Sequence, residues 1–317
     1  AGLANNAAAQ LLLKKQGSTL AFATGNNKMK KAAAAAKMTN QQVLKIIAQV
    51  YVGKMEVDKQ CDTNRRPRQT LNDYVRDFFT QQYGLASVAK SKLLDLVAKL
   101  GAEVSQEKGV HPRLRIFHHL LGIDMGGTGD LDECSFVLNA VQELFPSWRY
   151  NSSFIREFVQ PTILLPAEGV EFAVVKLFSA QKYGGQVPDG LMDKILSKAK
   201  NIAVKAKPGT RGAQTSEQKQ VDADHVLDAC HFAYLELEIQ SITSLMNLFA
   251  SCDTNGDGVL QYDEFLDLIA KIDARVTPQD VLEMYHECVG DDDVIDKGEL
   301  LGLISNRGLK FALAKFA

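Results

Sequence analysis

Twelve consecutive residues, DTNGDGVLQYDE from Asp253 to Glu264, have the types and spacing of an oxygen cage for a hard cation. Asp253, Asn255 and Asp257 occupy positions 1, 3 and 5, so three oxygen-bearing side chains recur at every second residue. Gly258 stands at position 6, where the chain must turn sharply. Val259 at position 7 offers its backbone carbonyl, and Gln261 at position 9 can act through a water. Glu264 at position 12 is placed to give both carboxylate oxygens. Ca²⁺ takes 6–8 oxygens in flexible geometry, whereas Mg²⁺ demands a tight octahedron, so the set favours Ca²⁺. The expected metal ligands are therefore Asp253, Asn255, Asp257, Val259 and Glu264. The plain alternative is an Asp/Gly-rich surface turn. Against it stand the apolar flanks: Leu245, Leu248 and Phe249 lead in, and Phe265, Leu268 and Ile269 lead out.

Asp253, Asn255, Asp257, Gly258 and Glu264 resemble the metal loop of the EF-hand superfamily, a resemblance that covers residues 222–317. Such loops work in pairs, and Leu260 at position 8 carries the apolar side chain that packs against a partner loop. A partner is expected with Glu299 at its position 12 and Ile295 at position 8, entered by a helix that Thr277 and Pro278 open. That loop has Cys288, Gly290 and Asp293 at positions 1, 3 and 6, so packing without tight Ca²⁺ binding is expected from it. A third stretch, Asp124 to Ser135, keeps Asp124, Gly129 and Leu131 in register but ends on Ser135, which cannot chelate bidentately. Residues 112–180 are thus either a degenerate EF-hand pair or an ordinary helical hairpin.

The elements around these loops read as helices. Thr39 with Gln42 forms a capping-box signature ahead of Val43, Leu44, Ile46, Ile47, Val50 and Tyr51. Thr70 opens a second helix with Leu71, Tyr74, Val75, Phe78 and Phe79 inward, and Gly84 stops it. A third carries Leu93, Leu94, Val97, Leu100 and Val104. Pro112 opens a fourth, with Leu114, Phe117, Leu120 and Leu121 at core spacing. Further on, Phe136, Val137, Val141 and Leu144, and then Phe172, Val175, Leu177 and Phe178, mark two more. No segment sustains a strand's alternation. The fold class expected is all-α: a helical domain over 38–200, a basic linker at 201–221, and an EF-hand pair over 222–317. Residues 1–37, with six Lys, no acidic residue and two alanine runs, read as a basic tail, a targeting peptide or an anchoring arm.

Charge divides the 317 residues in the same way. From Asp222 onward, 6 Lys/Arg face 19 Asp/Glu, a balance of −13, while residues 1–221 carry +11. Fields of opposite sign recruit different partners. The five cysteines are odd in number, scattered and without a CxxC pair, as expected of thiols in a reducing compartment. No apolar run approaches the roughly 20 residues of a membrane span. There is no GxGxxG, P-loop, HExxH or GxSxG, and no nucleophile–base pairing is legible. His118 and His119 are adjacent and point to different faces, and His225 and His231 do not share one. An enzyme is not expected.

A second resemblance is spread over RRPRQTLNDYVRDFFTQQYGLASVAKSKLLDLV, PRLRIFHHLLGI and the loop at 124. This front half, residues 40–180, is similar to the helical half of EF-hand proteins of protist and algal flagella. The resemblance implies a structural or regulatory component of a ciliary or flagellar axoneme, a cytoskeletal, microtubule-associated assembly. Acidic tubulin tails are the expected target of Lys28, Lys30, Lys31, Arg65, Arg66, Arg68, Arg113 and Arg115. Neither nucleic acid nor membrane is an expected partner. The alternative is a freestanding calmodulin-like Ca²⁺ sensor that binds a target helix.

Overall fold

The computed structural model describes residues 38–105, 110–122, 130–180, 185–203, 217–290 and 293–306. Helix α1 (Asn40–Thr63) begins where Thr39 Oγ1 accepts the Gln42 N–H at 3.2 Å and Gln42 Oε1 accepts the Thr39 N–H at 2.8 Å. This is the reciprocal cap that the sequence predicts. Helix α2 (Leu71–Tyr83) is capped by Thr70 and ends at Gly84, whose φ of +69° is a conformation few other residues adopt. Helices α3 (Ala86–Val104), α4 (Pro112–Leu120), α5 (Leu131–Leu144), α6 (Asn151–Phe158) and α7 (Ala167–Ser179) follow, with a short α8 (Leu191–Leu196). The long α9 (Ala223–Cys252) leads into α10 (Tyr262–Ile272), α11 (Pro278–Cys288) and α12 (Lys297–Asn306). Helix dominates, as the pattern predicts. Among the described residues, no helix is long and apolar enough to cross a membrane.

A small sheet departs from the all-α expectation. Strands β1 (Leu164–Pro166), β2 (Lys200–Ala203) and β3 (Glu217–Asp222) pair in the order β1-β3-β2, both ladders antiparallel. The strands are only three, four and six residues long. The longest, EQKQVD, carries one apolar side chain, so alternation could not reveal it. Its Val221 is fully buried opposite the buried Leu165. The stretch 201–221 is therefore not a simple linker, because both of its ends are in the sheet. Likewise, β1 pairs with β3, while residues 124–129 of the loop expected at 124–135 lie outside the described residues. No loop-to-loop bridge of a degenerate pair is seen in residues 112–180 among the described residues.

The chain divides into two compact units, and the division falls between Phe232 and Ala233, inside α9 instead of at 221/222. One unit contains the described residues of Ser18–Leu177 and Pro188–Phe232. Its core is aromatic. The Tyr51 ring meets Phe117 and Phe158 edge-on at 5.8 and 6.0 Å, and Phe145, Phe154 and Phe158 cluster at 5.2–5.8 Å. Such rings supply large buried area together with geometric specificity. Two faces differ from expectation. On α3 the buried stripe is Ala89, Leu96, Leu100 and Glu103, and Leu94 turns outward at 45 % exposure. On α7, Val170, Ala173, Val174 and Leu177 are buried, while Phe172 and Val175 face outward.

Close packing of α1 on α2 has a sharp local consequence. A Cβ built on Gly53 would collide with the Tyr74 hydroxyl oxygen. Gly to Ala inside a helix normally gains about 1 kcal/mol. Here Gly53→Ala is expected to destabilise the fold by about 1–2 kcal/mol through overpacking. Urea unfolding should show the loss, and Tyr74→Phe in the same chain should restore most of it. A stabilised single variant would refute the contact.

The other unit contains the described residues of Phe178–Val187 and of Ala233–Ala317. Helix α11 opens on a capping box of Thr277 and Asp280 with Pro278 in its first turn. Phe249, Leu260, Phe265, Leu268, Ile295 and Leu300 are among its fully buried side chains. Of the apolar flanks expected around the loop, Leu245, Phe249, Phe265, Leu268 and Ile269 are buried, and Leu248 is partly buried.

Candidate metal sites

The loop between α9 and α10 places its oxygens through its own backbone. Asp253 Oδ1 and Oδ2 accept the N–H groups of Gly256 and Gly258 at 2.8 and 3.0 Å. Asn255 Oδ1 accepts the Asp257 N–H at 3.1 Å, and Asp257 Oδ1 accepts the Val259 N–H at 3.0 Å. Gly256 and Gly258 take φ of +71° and +86°, which lets the chain curl tightly around the side chains. Glu264 reaches back across the loop. Its Oε1 accepts the Thr254 hydroxyl at 2.7 Å and the Thr254 N–H at 2.9 Å, and its Oε2 accepts the Gln261 N–H at 3.1 Å. The Thr254 hydroxyl, then the backbone N–H groups, hold the Glu264 carboxyl below the ordinary range. It is ionised at neutral pH.

One further contact fixes the loop. Leu260 and Ile295 exchange two backbone hydrogen bonds, at 2.9 and 3.0 Å, in an antiparallel bridge. These are the two residues that the sequence register puts at position 8 of each loop. The second loop, from Cys288 to Glu299, also turns at its position 6. There Asp293 adopts φ +55°, one of two non-glycine residues at positive φ among those described. Asp tolerates this conformation better than most, and the Tyr285 hydroxyl donates to the Asp293 carbonyl. Asp296 and Glu299 cap α12 reciprocally, at 2.7 and 2.9 Å. Cys288, at position 1, ends α11 and has no hard oxygen to offer.

The oxygen set of 253–264 suits Ca²⁺ in donor type and in the inward aim of Asp253 and Glu264. Yet Asp253, Asp257 and Glu264 are not drawn within 4.8 Å of one another as a set. Among the described residues, the one His/Cys/Asp/Glu group so closely drawn is His119, Glu133 and His231, which the sequence reading did not find. His119 comes from α4, Glu133 from α5 and His231 from α9, all in the same unit. No linear motif announces such a group, since Glu133 and His231 are 98 positions apart. Burial alone would raise the Glu133 carboxyl. Hydrogen bonds from His119 and His231, with their charges, outweigh it and bring it down to about 2.

The basic residues expected to form a docking face are dispersed. Arg65 and Arg66 are exposed, whereas Lys28, Lys30 and Lys31 lie outside the described residues. Arg68 is held by both oxygens of Asp62, and Arg115 pairs with Asp228 while stacking 4.6 Å from the Phe232 ring centre. Arg113 is not a surface residue at all. Its side chain is 0 % exposed, forks onto Asp224 at 2.7 and 3.1 Å, and donates to the carbonyls of Phe158 and Gln160. All five cysteines are thiols, and burial pushes Cys134 and Cys230 up to about 12, which makes them poor nucleophiles and poor ligands.

No protein-family model, no curated protein and no solved structure matches this chain.

Proposed function

We propose that residues 233–317 form an EF-hand pair that binds one Ca²⁺, in the loop from Asp253 to Glu264. The observation that carries this reading is the two-hydrogen-bond bridge between Leu260 and Ile295. An isolated Asp/Gly turn has no reason to pair with a second loop at this register. Paired metal loops gain mutual support from such a bridge, which transmits the geometry of one loop to the other. The second loop contributes packing, with Asp293 standing in for glycine at the turn. Calorimetric titration of the whole chain with Ca²⁺ should return one tight site. Two tight sites would overturn the assignment of 288–299 as a packing partner.

The role proposed for this lobe is structural or regulatory, within a ciliary or flagellar axoneme, with no catalytic activity of its own. What motivates it is the resemblance read in the sequence of residues 40–180, together with the −13 and +11 split of charge. The docking surface is narrower than the sequence count implied. Arg65 and Arg66 are its exposed arginines, and Arg113 is withdrawn from it because its charge is consumed inside the fold. Contacts with acidic tubulin tails rest on exposed charges, which salt screens over about 8–10 Å. Co-sedimentation with microtubules should therefore fall steeply between low and high salt, and Arg65→Ala/Arg66→Ala should weaken it further. Binding indifferent to both would sink the docking proposal while leaving the Ca²⁺ site standing.

A further inference from the structure

We propose that His119, Glu133 and His231 bind a divalent transition-metal ion, with Zn²⁺ the ion their chemistry suits. This site is separate from the Ca²⁺ loop and rests on different residues. His231 Nε2 lies 2.6 Å from Glu133 Oε1, and His119 Nε2 lies 3.2 Å from the same oxygen. The two imidazoles stand at 70° with centres 5.5 Å apart, and both Nε2 atoms face Glu133 Oε1. All three donor atoms lie within 4.8 Å of one another.

Two imidazole nitrogens and one carboxylate oxygen are a borderline donor set. Zn²⁺ binds such ligands at about 2.0–2.2 Å and is usually tetrahedral. Ca²⁺ and Mg²⁺ prefer oxygen throughout, so they are poor competitors here. Bonds of that length put tetrahedral donors about 3.3–3.5 Å apart. The His119–Glu133 spacing falls short of this by only about 0.1–0.3 Å, and the His231–Glu133 spacing must open by about 0.7–0.9 Å. A modest rotation of the carboxylate supplies that movement. Glu133 and His231 have side chains only 5 % and 4 % exposed, while that of His119 is 30 % exposed. Two ligands are thus fixed in the interior, and the third is partly exposed, on the side from which water can complete the tetrahedron.

Metal binding uses the Nε2 lone pairs, so each bound imidazole carries its one proton on Nδ1. Without a metal, the Nε2 atoms of both rings face the Glu133 carboxylate. His231 Nδ1 is buried with no partner. It is unsatisfied in either state, so it opposes neither. It also means that no acceptor orients this ring, a support whose loss costs about 10–100-fold in metal affinity elsewhere. A micromolar site is expected, not a nanomolar one.

The test is a titration of the whole chain with Zn²⁺ and with Co²⁺, in saturating Ca²⁺ so that the acidic loop is not a competing sink. One Zn²⁺ per chain should bind and raise the thermal midpoint, and Co²⁺ should give the intense visible absorption of a tetrahedral centre, bleached by Zn²⁺. His119→Gln, at the more exposed ligand, and Glu133→Gln should each weaken Zn²⁺ by more than about 100-fold, beyond what loss of a merely supporting partner costs. His225→Gln is the control, since His225 hydrogen-bonds the Lys194 carbonyl and is no part of the group. Zn²⁺ binding equal in His119→Gln and the parent chain would overturn the proposal. So would a Co²⁺ complex without tetrahedral absorption, or no binding at all. None of these results depends on whether the 253–264 loop binds Ca²⁺, because the comparison is between chains that share that loop.

Discussion

Arg113→Ala is expected to lose about 3–5 kcal/mol of folding stability, the cost of breaking a buried, fully hydrogen-bonded ion pair. The reason lies in what the guanidinium leaves behind. Asp224 loses both of its fork contacts, and the carbonyls of Phe158 and Gln160 lose their donor. The ring of Phe158, 5.1 Å from the guanidinium carbon, loses a stacking partner in the centre of the aromatic core. Lys is no substitute, since an ammonium cannot hold a forked carboxylate and two carbonyls in one plane. Arg113→Met with Asp224→Leu should recover part of the loss, because removing both charges avoids an unpaired one. Chemical unfolding checks all three chains. A docking arginine on the surface would behave differently, since substitutions there usually stay within about 0.5 kcal/mol. A change that small would return Arg113 to the microtubule-facing set.

Arg113 also shows where reading the sequence runs out. PRLRIF gives a helix start and an apolar stripe, and both are found, with Pro112 in the first turn and Leu114, Ile116 and Phe117 buried. Whether an arginine on that helix faces water is decided by a carboxylate 111 positions away. Periodicity reports the face of a helix toward its own neighbours and is silent about such a partner. The same limit hid the His119–Glu133–His231 group. Adjacency argued correctly that His118 and His119 diverge, yet His119 finds its partners on two other helices.

Local chemistry was legible wherever the deciding atoms are close in sequence. The Thr39/Gln42 cap, the helix start at Thr277 and Pro278, the Gly84 stop, and the position-8 pairing of Leu260 with Ile295 follow from spacings of a few residues or from a fixed twelve-residue register. The sheet was not legible, because EQKQVD shows no alternation and takes its place from its neighbours on either side. On α3 and α7 the helices were legible but their inward faces were not. Leu94 and Phe172 are apolar and exposed, so hydrophobicity alone could not rotate those helices correctly.

Glu264→Gln is expected to lower Ca²⁺ affinity by about 100-fold or more, a step comparable to that between sensor loops and weak extracellular ones. The carboxylate supplies two equivalent oxygens and a negative charge, and its backbone and hydroxyl donors keep it ionised, so no proton must leave when Ca²⁺ arrives. An amide offers one oxygen and no charge. Its second arm is a donor that faces the Thr254 or Gln261 N–H and repels it. Without Ca²⁺ the change should be mild, because the remaining oxygen still caps α10 and a weakened cap costs about 1 kcal/mol. With Ca²⁺ the two chains should separate: the parent gains thermal stability with rising Ca²⁺ and the variant does not. Calorimetry gives the affinity directly, and melting curves with and without Ca²⁺ separate lost binding from lost folding. Parent-like affinity in the variant would show that Glu264 is not at position 12, and the whole register from Asp253 would fall with it. Loss of binding confined to Glu264→Gln, with Glu299→Gln near the parent, would instead fix the live site in the first loop and leave the second to its bridge through Ile295.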